Sequence, residues 1–222
     1  ESLQAEANKF LQIWVVDEFN SNTPLPHGYI LRVKESQLDN ALEKAIFDYL
    51  LIVSEAGCFS NGALLKISQQ LQRETDISVF YSDHDFMDST GVRCLPSCKP
   101  AWNFDYLLSH NYIGGLVGFS SSFVESHPDR IRLIELLSEP HATLVRVCDA
   151  LNINNVCHIP LILFHQYYVD DGPHVYREPP AILQSIQSSF PEAQTQVIAE
   201  SNTQRIYWPL PAKKPLVSII IP

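Results

Sequence analysis

The chain has 222 residues, 45% hydrophobic and 18% charged, which is ordinary globular usage and enough for one domain with a real core. Its net charge of −10 argues against nucleic acid or an anionic membrane surface as a partner, because phosphate contacts need clustered Lys and Arg, and the one adjacent basic pair is Lys213 with Lys214. No apolar run approaches the roughly eighteen residues of a membrane span, the acidic start is not a signal peptide, and five cysteines point to free thiols in a reducing, cytoplasmic setting.

In chain order, Leu11 to Val16 (LQIWVV) reads as a strand followed by Asp17 and Glu18. TPLPHG at 23–28 is a turn, and Tyr29 to Val33 is a short strand. Leu38, Ala41, Leu42 and Ala45 have helical spacing. Tyr49 to Val53 is an unbroken apolar run that suits a strand buried on both faces. Gly62 to Arg73 is a helix expected to bury Leu64, Leu65, Ile67, Ser68 and Leu71, and Val79 to Tyr81 is the next strand. Alternating strands and helices imply a parallel sheet with right-handed crossovers. Beyond residue 104, helices are expected at 105–110, 130–137, 142–151 and 182–189. Strands are expected at 113–119, 159–165, 196–199 and 204–208, with a loop at 169–180.

The most informative stretch is 79–124. The strand at 79–81 is expected to end in Ser82, Asp83, His84 and Asp85, where an open α/β sheet presents its ligand side. Asp83 and Asp85 are two residues apart, so on extended backbone both carboxylates face one way and can hold a divalent metal or a sugar; the alternative is a solvated turn capped by Asp88. Cys94 and Cys98, or Cys157 beside His158, make at most a loose zinc pattern, and Cys58 and Cys148 read as small core residues. The acidic pair Asp170 and Asp171 before Gly172 reads as a turn. No glycine-rich phosphate loop is present, so a plain nucleotide-binding regulator is not indicated.

An ordered series runs through this stretch: Tyr81, Ser82, Asp83, Asp85, Asp88, Gly91, Arg93, Lys99, Pro100, Trp102, Asp105, Leu107, Leu108, Ser109, Asn111, Tyr112, Ile113 and Gly114. It resembles glycosyltransferase family 2 proteins of bacterial polysaccharide synthesis, including rhamnosyltransferase-like members, whose pattern is close to YSDEDxxD, a Gly-Arg turn, then FKPDWSPDLLLSxNYIGxL. CHIPLILFH at 157–165 is similar to that family's HIPxVLYHWR. YWPLPAKKPLVSIIIP at 207–222 looks like a linker and the first strand of a second transferase domain in tandem members. The resemblance implies a GT-A, mostly parallel sheet flanked by helices, with the first strand missing or supplied by the C-terminal segment. It divides the chain into an incomplete transferase domain at 1–206 and a linker with the next domain's first strand at 207–222.

What the family needs chemically can be set against these residues. Transfer from a nucleotide-sugar donor to a saccharide acceptor leaves charge on a diphosphate, which a Mg²⁺ or Mn²⁺ ion on paired carboxylates stabilises, while a carboxylate near a helix start takes the acceptor's proton. By resemblance Asp17, Glu55, Asp83 and Asp85 would bind the nucleotide-sugar, with Asp83 and Asp85 as metal ligands. Lys99, Trp102, Asn111 and Tyr112 would line the acceptor side, Trp102 as a stacking platform on a proline-fixed turn. The metal motif expected after FDYLLIV is reduced to Glu55, and the base position is held by His141, with Glu139 just ahead. Ala101 stands where the family has Asp, and Gln166 and Tyr167 follow His165 where it has WR. Two classes therefore stand: a nucleotide-sugar transferase domain acting in cell-surface polysaccharide synthesis, degenerate in these motifs and reaching membranes through its partners, or a non-catalytic carbohydrate- or partner-binding module beside an active transferase domain.

Overall fold

The computed structural model describes residues 46–53, 56–129, 139–167, 180–198 and 203–210, the strands Ile13–Val16 and Ile30–Val33, and a few single positions. The latter two strands, β1 and β2, pair in parallel with Ile13 opposite Ile30. Most of the helix expected around 36–44, half of 130–137, the loop at 169–179 and most of the strand-like run at 217–221 lie outside the described residues, as do Asp17 and Glu55, while Pro180 starts a helix rather than ending the expected loop.

The central sheet contains β3 (Tyr49–Val53), β4 (Gly57–Phe59), β5 (Val79–Met87), β6 (Arg93–Ser97), β7 (Leu116–Ser120) and β8 (Val156–Tyr167). Its order is β3-β7-β5-β8-β4, with β6 paired to β5. Strand β5 is its axis. The parallel strand β8 follows β5 from Val79 to Met87, while the opposite edge takes β7 antiparallel along Val79–Tyr81 and then β6 antiparallel from His84 to Met87.

A mostly parallel sheet is therefore not what forms: in the central sheet only β5 and β8 pair in parallel, and the other four pairings are antiparallel. Strands β3 and β5 run in the same direction but are not neighbours, because β7 lies between them and is antiparallel to both. The glycine in β7 makes room for this. A Cβ at Gly118 would fall 2.1 Å from the Phe80 ring, so that ring packs where a side chain would stand.

Strand β5 also does not end at Ser82. It runs on to Met87, so Asp83 and Asp85 sit within a strand bonded on both edges rather than on a loop at its tip. The turn that does follow is closed by Asp88, whose Oδ1 accepts from Thr90 N (2.8 Å), Thr90 Oγ1 (2.7 Å) and Val92 N (2.9 Å), with Gly91 at φ 85°. Opposite Ser82 and Asp83 the ladder slips from Ile159 to Ile162, leaving Pro160 and Leu161 as a bulge; proline has no N–H to give the ladder.

Helices cover both faces. On one, α1 (Ala63–Arg73) packs Ala63 and Ile67 against Phe80, Ile159, Leu163 and Phe164. The expected apolar face is displaced, since Leu65 and Ser68 are exposed. On the other, α2 (Phe104–Ser109), α3 (Ser121–Ser126), α4 (Pro140–Val147) and α5 (Pro180–Ser189) cover Val79, Tyr81, Val117 and Phe119 with Leu107, Leu108, Phe123, Leu144, Ile182 and Ile186. A 3-10 turn, Cys148–Ala150, closes α4, and β9 (Gln194–Ile198) with β10 (Thr203–Tyr207) forms an antiparallel hairpin. Burying a side chain the size of Phe80 contributes about 2 kcal/mol, so this two-sided burial holds β5 at the middle of the molecule. Among the described residues no helix is long and apolar enough to cross a membrane.

Candidate functional site

Tyr81 starts the site. Its ring is wholly buried, stacks on His158 (5.0 Å between centroids) and meets Tyr112 edge-on, and its hydroxyl donates to the Pro100 carbonyl at 2.7 Å. Burial raises the Tyr81 hydroxyl's pKa well above the usual tyrosine value, so it stays a donor. That bond fixes the Lys99–Pro100 turn over β5.

Asp83 accepts from that same turn. Its Oδ1 receives the Lys99 backbone N–H at 2.9 Å and the His158 Nε2–H at 2.8 Å. Asp85 is engaged on both oxygens: Oδ1 takes the His165 Nδ1–H at 2.5 Å and Oδ2 takes the Arg93 Nε–H at 2.7 Å. Both carboxylates are deeply buried, and a buried carboxylate is tolerated only when such donors replace water. What pattern reading missed is therefore the pairing of His158 and His165, both on β8, with the two acids. The signal was present in CHIPLILFH, where each histidine falls opposite an acid-bearing stretch of β5.

His84 and Lys99 form a second, drier cluster. Burial lowers the His84 pKa to about 4, with the Lys99 charge adding to the effect, and burial lowers that of Lys99 to about 7 against the attraction of Asp83. The Lys99 Nζ donates to the Ile113 carbonyl, while His84 Nδ1 is buried without a hydrogen-bond partner. Gly114, at φ 73°, closes this cluster: a Cβ there would lie 3.0 Å from His84 Cε1 and 3.4 Å from Lys99 Nζ.

The expected acceptor-side residues come together around this turn. Asn103 caps α2 by accepting from Tyr106 N, and its own N–H donates to the Tyr112 hydroxyl at 3.0 Å. Tyr112 is buried and stacks on the more exposed Tyr106. Asn111 Oδ1 accepts from Gly114 N at 3.2 Å. Trp102 is half-buried and packs against the core. Lys99 faces neither solvent nor an open cleft; it is a buried strut.

His141 and Glu139 lie elsewhere. Glu139 is the residue before α4, half-buried, and His141 is 1% exposed with its Nε2–H donating to the Leu107 carbonyl at 2.5 Å. A ring so enclosed holds the end of α2, and a substrate hydroxyl would have to pass beneath α4 to meet it. Neither the surface position that a helix-start histidine suggests nor an open cleft is what surrounds this ring.

Around Asp85 the described residues do not fit a resident divalent cation. Among the described residues no group of three His, Cys, Asp or Glu side chains could hold a metal ion, and both oxygens of Asp85 are already bonded to protein N–H groups. All five cysteines are free thiols, with Cys148 buried as expected and Cys58 half-buried on β4.

No family model matches this chain. Over 90 residues, 40% of the chain, it is 32% identical to y4gI, an uncharacterized protein of Sinorhizobium fredii; the matching part is 10% of that protein's length.

Proposed function

We propose that this chain is a glycosyltransferase family 2-like domain, degenerate in its metal and base motifs, of a longer cytoplasmic protein that transfers sugars from nucleotide-sugar donors to a growing cell-surface polysaccharide. The observation that carries this reading is that the residues of the motif series bond to one another. Tyr81 holds Pro100, Asp83 holds Lys99 N and His158, Asp85 holds Arg93 and His165, and Asn111 holds Gly114. Residues from three separate stretches that share the family's pattern thus meet on β5, as parts of one ligand-binding side would. Calorimetric titration with UDP, GDP and dTDP, with and without Mn²⁺, tests it: micromolar binding of one nucleotide supports the reading, and no binding in any titration removes it.

One observation favours a second reading, a non-catalytic carbohydrate- or partner-binding module beside an active transferase domain. Asp85 spends both oxygens and Asp83 its Oδ1 on protein donors, and His141 is enclosed. Under this reading saccharide acceptors bind and nucleotides do not, which titration with oligosaccharides of the same polysaccharide distinguishes.

A further inference from the structure

The described donor set does not suit a metal, and the group that occupies the acid pair instead has its own chemistry. Arg93 lies on the edge strand β6, one turn after β5, with its side chain 53% exposed while that of Asp85 is 4% exposed. Its Nε donates to Asp85 Oδ2, and its Nη1 and Nη2 make no other hydrogen bond among the described residues. A guanidinium is a rigid planar fork, so fixing Nε on a carboxylate also fixes the direction of the outer nitrogens. Asp85 cannot drift, because its other oxygen is held by His165 from the opposite strand. The result is an outward-facing cation, oriented before any ligand arrives, on a chain whose net charge is −10.

We infer that Arg93, oriented by Asp85, binds the diphosphate of a nucleotide ligand directly and stands in the place of the divalent cation. The inference rests on the sugar-nucleotide reading above. Two phosphate oxygens match the outer nitrogens of the fork, as bidentate Arg–phosphate pairing requires. A divalent cation on the same carboxylate would displace Arg93 or lie against its charge, so the two modes of binding exclude each other. Arg93 would be the ligand-touching residue, and Asp85 and His165 the positioning residues.

The test uses the full chain and titrates UDP, GDP, dTDP and inorganic pyrophosphate, each in EDTA and in Mn²⁺, against the wild type, Arg93→Gln and Arg93→Lys. Binding equal in EDTA and Mn²⁺ is expected, weakened about tenfold or more in both variants, because a lysine cannot hold Asp85 and a phosphate at once. Thermal midpoints are measured alongside: Arg93→Gln leaves Asp85 Oδ2 without its donor and is expected to lower the midpoint, whereas Arg93→Lys can still donate to Asp85, so binding lost in Arg93→Lys at a midpoint within about 3 °C of wild type separates ligand contact from a structural role of the Arg93–Asp85 bond. Binding that requires Mn²⁺ overturns the inference and leaves the transferase reading intact. Metal-independent binding unchanged in Arg93→Gln overturns the assignment to Arg93 alone. No binding of any probe under either condition removes both.

Discussion

At the scale of single residues the molecule's acid pair and its buried base pair behave differently. His84 binds a proton in the unfolded chain near pH 6.5 but in the folded one only near about 4, so between those values the unfolded state holds more protons and stability falls as pH is lowered. Lys99, at about 7 folded and 10.5 unfolded, gives the same sign at higher pH: stability rises from pH 7 towards 10.5. Urea midpoints measured between pH 4 and 10 should climb across both windows, the acid arm amounting to at most about 3 kcal/mol. His84→Leu should flatten the arm below pH 6.5, and Lys99→Met the arm above 7; an acid arm unchanged in His84→Leu would assign it to other groups. None of this was legible locally. The two carboxylates could be seen to face one way, but their histidine partners stand 75 and 80 residues further on, and only the β5–β8 pairing unites them.

The elements themselves were more readable than their arrangement. The apolar run at 49–53 is β3 to the residue, α1 starts one residue inside its expected bound, and the two late strands pair as a hairpin. Strands β4 and β6 escaped notice because each is too short or too polar to show a period, and only their partners β8 and β5 make them strands. What binds the helices is equally non-local. The carbonyls of Leu107 and Leu108, at the end of α2, have no partner within a six-residue helix and are met by His141 from α4 and Gln204 from β10. His141→Ala should therefore cost about 2 to 3 kcal/mol through a lost bond and a cavity, read as a lower urea midpoint with an unchanged slope, while His141→Gln should recover part of it. Loss of activity in His141→Ala at full stability would contradict the strut and restore the base. In the same layer Gly118→Ala should cost about 1 to 3 kcal/mol, because the new methyl would meet Phe80 in the crowded gap between β3 and β5. A melting curve superimposable on the wild type would mean that the ring has room to turn away.

For the whole molecule, alternating strands and helices announced an α/β fold with helices on both faces, and that is what forms. Strand direction was misread as parallel, since an antiparallel insertion such as β7 has the same apolar period as a parallel strand. The layered packing makes a prediction of its own through the five thiols, which sample it at different depths. Cys98 is exposed just after β6, Cys58 and Cys94 are half-buried, and Cys148 and Cys157 are enclosed on opposite sides of the sheet. Burial, with Glu74 nearby, also pushes the Cys157 thiol up to about 12, so it yields almost no thiolate at neutral pH. With an aromatic disulfide reagent at pH 8, Cys98 should react first and Cys148 and Cys157 at least about a hundredfold more slowly, because their attack requires the layers to open. All five should react at once in denaturant, and reducing agent should leave the thermal midpoint unchanged. Prompt labelling of Cys157 in the native protein, located by peptide mass, would show that β8 is not sealed beneath α1 and would remove the buried floor on which His158 and His165 are held.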